Sequence, residues 1–119
     1  MDFNIIINYC ADIREINFGQ LTGRNFNDIK DIILLHKKQT HKHYTDGESG
    51  DSFSKRVLGF VEMVLDVHEG GTILLMTHFG VIETILKHYI NKPDDRLNTK
   101  NYDIGLLYFN KKGVSYKWI

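Results

Sequence analysis

Thr72-Ile73-Leu74-Leu75-Met76-Thr77-His78-Phe79-Gly80 is the stretch whose reading decides the fold. Between its two threonines the run is wholly apolar, the pattern of a strand covered on both faces. His78-Phe79-Gly80 then turns the chain. Beyond the turn, Ile82, Ile85, Leu86, Tyr89 and Ile90 recur at helical spacing, so a helix follows the strand. Upstream, Phe53, Val57, Phe60, Val61, Val64 and Leu65 share one helical face. Asp51 suits the positive end of that helix, and Gly70-Gly71 ends it.

Working outward, Phe3 to Tyr9 (FNIIINY) is short, apolar and β-branched, and reads as a second buried strand. Arg14 to Gly23 reads as a loop. Phe26 to about Lys38 reads as a helix on Phe26, Ile29 and Ile33, with Asn25 and Asp28 placed to cap its start. Gln39 to Gly50 is polar and aperiodic, the signature of an exposed loop. Pro93 falls in a loop after the last helix. Ile104 to Phe109 and Val114 to Trp118 read as a hairpin around Asn110 to Gly113, with Gly113 available for positive φ. Strands and helices in this order predict an α/β fold in which helices pack on a mixed sheet that ends in a hairpin.

At 119 residues, with no repeat or linker, the chain reads as a single domain spanning 1–119. Fifteen basic residues balance fifteen acidic ones, so no general attraction draws the chain to nucleic acid or an anionic membrane. An anion must be caught locally. One cysteine, Cys10, cannot form an internal disulfide. No apolar run approaches the roughly 18 residues of a membrane span, and the start has no basic-then-apolar signal. Cytoplasmic location is the expectation.

His78 is the first candidate for chemistry. A residue just past the carboxyl end of a buried strand sits where open α/β sheets build their sites. The unpaired N–H groups of the next helix point toward an anion bound beside it. Imidazole titrates near neutrality and exchanges hydrogen bonds with phosphate oxygens, and Gly80 lets the backbone approach closely. Glu15 follows the first strand, and a carboxyl group near a phosphate can serve as general acid. The bland readings are a histidine filling a turn and a solvated glutamate.

Three segments together resemble one family. Ile13-Arg14-Glu15-Ile16-Asn17-Phe18-Gly19, then Gly47-Glu48-Ser49 with Arg56, then Thr77-His78-Phe79-Gly80-Val81 are similar in order and spacing to the histidine phosphatases, the phosphoglycerate mutase-like superfamily. The similarity runs from about Ile5 to the C-terminus. It implies a three-layer α/β/α fold, here incomplete, and phosphomonoester hydrolysis. It implies a small phosphorylated substrate or inorganic phosphate as ligand, with no metal or organic cofactor. Glu15 matches the family's proton-donating acid. His78 matches the second histidine, which holds the transferring phosphoryl group beside Gly80. Glu48 and Arg56 match positions that look structural.

The family's nucleophile stands in an Arg-His-Gly segment after an N-terminal strand, and no Arg-His pair exists in this sequence. The chain reads as a truncated domain starting where the family's third strand would start, inactive or incomplete in isolation. The absent strand would lie between the two apolar runs, leaving strand edges that invite a second copy or a partner fragment. The alternative is a catalytically dead module that binds phosphate or a protein. Leu21 and Thr22, between Gly19 and Gly23, stand where the family places an aromatic and a glutamate.

Other chemistries fit poorly. Cys10 and Arg14 are too close for a cysteine-phosphatase loop. Gly47-Glu48-Ser49-Gly50 is short of a serine nucleophile elbow. His36, His41 and His43 lack a closed zinc ligand set. The aromatic residues near the hairpin, Tyr102 among them, read as packing.

Overall fold

The computed structural model describes residues 4–90 and 104–119; Phe3, Pro93 and Tyr102 lie outside the described residues. Helix α1 is Phe26–Lys38, α2 is Gly50–Val67 and α3 is Phe79–Ile90. Strands β1, Gly105–Asn110, and β2, Gly113–Trp118, form an antiparallel hairpin in which Leu107 faces Tyr116 and Asn110 faces Gly113. Gly113 has φ +135°, a conformation that side chains disfavour.

The helix starts follow from short polar side chains. Asn25 caps α1, its side chain accepting from the Asn27 N–H at 2.9 Å. Ser49 caps α2, its Oγ accepting from the Ser52 N–H at 3.1 Å. Each satisfies one of the orphan donors of a first turn. Asp51 lies in that first turn of α2, as expected, although the cap itself is Ser49.

The core lies where α2 crosses α3. Phe53, Val57, Val61, Val81 and Ile85 form its buried centre, with Ile13, Ile16, Phe60, Leu65, Tyr89 and Leu107 packed around it. Val57 and Val81 are fully buried, a gain of about 1.5–3 kcal/mol for each side chain of this kind. The hairpin joins through Phe109, whose ring meets Tyr89 edge-on at 5.0 Å. Helix α1 is more loosely held. Ile29 is buried, but Phe26, expected on the inner face, is exposed.

The two apolar runs read as buried strands are the main departure. Residues 4–9 and 72–77 belong to no helix or strand. Ile6 is 87% exposed, Leu74 81% and Met76 89%. An apolar run becomes a covered strand only when neighbours pair with its backbone. Among the described residues the hairpin is the only strand ladder, so the expected mixed sheet is reduced to it. Among the described residues the architecture is an incomplete α/β fold of three helices and one antiparallel hairpin.

The segment 39–49 also departs from a plain exposed loop. Its Tyr44 and Ser49 are buried. Tyr44 lies between Phe18, edge-on at 5.2 Å, and His36, stacked at 4.0 Å. Burial pushes the Tyr44 hydroxyl pKa up.

Candidate functional site

Glu15 reaches the site because a 3-10 turn, Ala11–Ile13, redirects the chain against α2. The hydroxyl of Thr77 donates to the Ile13 carbonyl at 2.6 Å. This bond brings the end of the apolar run 72–77 beside the turn that leads to Glu15. The Glu15 carboxylate then lies at the first turn of α3. Its Oε2 accepts from the Gly80 N–H at 3.0 Å, and its Oε1 accepts from the N–H of Ile16 at 3.0 Å. A carboxylate is favoured there because unpaired amides and the helix dipole both point at it.

His78 stands two residues before Gly80. Its carbonyl accepts from the Ile82 N–H at 3.1 Å, one of the bonds that open α3, and the residue is exposed. The three sequence-predicted site residues, Glu15, His78 and Gly80, thus meet at one end of α3. In this arrangement the Gly80 amide, expected to face a phosphate, holds the Glu15 carboxylate.

A second network fixes the loop that carries Glu15. Arg56 donates from Nε to Glu48 Oε1 and from Nη2 to Glu48 Oε2, both at 2.9 Å, a bidentate pair with each side chain mostly buried. Its Nη1 donates to the carbonyl oxygens of Asp12, at 2.6 Å, and Arg14, at 3.1 Å. Glu48 Oε2 also accepts from the Asn17 N–H at 2.8 Å, and the Glu48 N–H donates to the Asn17 carbonyl at 2.9 Å. The Arg56 guanidinium lies 5.0 Å from the Phe53 ring centroid. Burial alone would raise the pKa of Glu48. The Arg56 and Asn17 hydrogen bonds, with the positive charges of Arg56 and Arg14, outweigh it and hold the carboxyl below its ordinary value. Through the Arg56 bonds to Asp12 and Arg14 and the Glu48 bonds to Asn17, the ion pair braces residues 12–17.

Sequence reasoning missed how closely two glycines meet. A Cβ on Gly47 would sit 2.8 Å from the Gly19 amide nitrogen and 3.0 Å from Tyr44 Cβ. The signal was two glycines in separate polar loops, with nothing to show that the loops touch.

The remaining candidates bond locally. His36 Nδ1 donates to the Ile32 carbonyl at 2.8 Å, and His43 Nδ1 is 3.4 Å from the carbonyl of Gly47. Among the described residues, no three His, Cys, Asp or Glu gather as a metal site. The Cys10 thiol donates to Asp12 Oδ2 at 3.6 Å. Among the described residues, no helix is long and apolar enough to cross a membrane.

A family model described as histidine phosphatase superfamily (branch 1) matches residues 2–118. The chain belongs to the histidine phosphatase superfamily. No curated protein matches it. In this histidine phosphatase superfamily member, the Glu15 and His78 segments come together through two side-chain-to-backbone hydrogen bonds, Thr77 to Ile13 and Gly80 to Glu15, at the head of α3.

Proposed function

We propose that this chain handles the phosphoryl group of a small phosphomonoester, or inorganic phosphate, at His78, and that as an isolated chain it is inactive or incomplete for hydrolysis. One observation carries the reading: Glu15, the residue matching the family's acid, bonds the Gly80 amide two residues past His78. An imidazole and a carboxyl group at one helix N-terminus supply a phosphate ligand and a proton source. Superfamily membership supports the reaction class. Incompleteness is inferred from the sequence, which contains no Arg-His pair. Without the histidine of that Arg-His pair the reaction lacks its nucleophile, and without its arginine the transferred charge loses a stabilising partner. In this reading residues 1–119 act as one histidine-phosphatase-like domain in the cytoplasm, using no metal or organic cofactor.

A second reading is favoured by the exposed apolar runs. In it the chain is a catalytically dead module that binds phosphate or a protein, with a second copy or a partner fragment covering residues 4–9 and 72–77.

Hydrolysis of p-nitrophenyl phosphate by the purified chain, from mildly acidic to neutral pH, tests the first reading beside a His78→Ala control. The expected result is no turnover in either protein, with inorganic phosphate binding that His78→Ala abolishes. Turnover lost in the control overturns the claim of inactivity and points to a substitute nucleophile. Neither turnover nor phosphate binding leaves the protein-binding module.

A further inference from the structure

We infer that Gly80 is a positioning residue for the Glu15 carboxyl group, and that its lack of a side chain is what admits that group to the head of α3. The inference rests on the reading of Glu15 as the site's acid. Gly80 is the second residue of α3. It is not among the described glycines with positive φ, so backbone conformation does not require it. Space does. A Cβ built on Gly80 would collide with Glu15 Oε1 and stand 3.0 Å from Cδ and 3.2 Å from Oε2. All three nearest atoms belong to this one carboxyl group, which also accepts the Gly80 N–H at 3.0 Å. The same residue therefore gives the carboxylate both its hydrogen bond and its room. The colliding atom ends a flexible side chain, so an added methyl group displaces Glu15 and leaves α3 formed.

The test follows the backbone amide at position 80 by two-dimensional NMR on the full chain through an acid titration, in wild type, Glu15→Gln and Gly80→Ala. The Gly80 amide is expected to shift in wild type as its carboxylate partner gains a proton, and to lose that shift in Glu15→Gln. In Gly80→Ala the amide dispersion stays that of a folded protein, while the pH-linked shift at position 80 disappears. A wild-type amide that ignores the titration, or that moves equally in Glu15→Gln, overturns the inference. So does a Gly80→Ala protein that keeps the shift. Should Gly80→Ala fail to fold, adding Glu15→Ala must restore the fold, and failure to do so also overturns it. None of these readouts uses phosphatase activity or phosphate, so the inference can fail while the phosphate reading stands, and the reverse.

Discussion

Arg56 ties α2 to Glu48 and to the segment around Asp12 and Arg14. It neutralises a mostly buried carboxylate and takes up two carbonyl oxygens 42 and 44 residues away in sequence. Removing it leaves Glu48 charged without its partner. Arg56→Ala is expected to destabilise the fold by about 3 kcal/mol, read as a lower urea midpoint. Glu48 adds a pH dependence of known sign. Its folded pKa lies below the unfolded value, so the folded state binds this proton more weakly. The resulting stability is present above the unfolded value, about 4.3, and is lost as pH falls through the folded value. Urea midpoints measured from pH 6 downward should fall steeply in wild type, and less steeply in Glu48→Gln. Equal slopes would sink this account. Ser49 is a smaller contributor. Its buried hydroxyl caps α2, so Ser49→Ala should cost about 1 kcal/mol.

At the scale of elements, the Asn25 cap, the core face of α2 and the hairpin turn were legible because each is written in nearby residues. Asn25 before Phe26, and the spacing of Phe53, Val57 and Val61, are local patterns that a helix obeys wherever it packs. The inner face of α1 was less legible. Phe26 has the right spacing, but burial depends on whether another element lies opposite, and it is exposed. The contact between the Gly19 and Gly47 loops was invisible for the same reason. Gly19 has φ +58°, and a Cβ there would collide with the Thr45 carbonyl oxygen and stand 2.7 Å from the Asp46 carbonyl carbon. These are backbone atoms that cannot swing aside. Gly19→Ala should therefore destabilise by about 2 kcal/mol, from strain and overpacking together. Thermal unfolding measures this, and an unchanged midpoint would mean the two loops are not held this closely in solution.

For the molecule as a whole, the decisive feature is apolar surface without strand partners. Ile5, Ile6, Ile7 and Tyr9 on one run, and Leu74 and Met76 on the other, are all far more exposed than core residues. Such surface drives association. Sedimentation should show the mass-average rising with concentration. Ile6→Lys with Leu74→Lys should suppress that rise while changing the unfolding free energy by only about 0.5 kcal/mol per site, the ordinary scale for exposed positions. A wild-type chain that sediments as a concentration-independent monomer would count against association through these runs.

The sequence by itself determined the helices, the Asn25 cap, the hairpin and the family, because all of these rest on local periodicity and on motif order along the chain. It also marked Glu15, His78 and Gly80 as belonging together. The tertiary structure decided that the Gly80 amide bonds the Glu15 carboxylate, that Arg56 braces residues 12–17, and that residues 72–77 form no strand. Each of those outcomes depends on which distant atoms face one another. An apolar run specifies a wish to be covered, and only the fold determines whether a neighbouring strand is there to cover it.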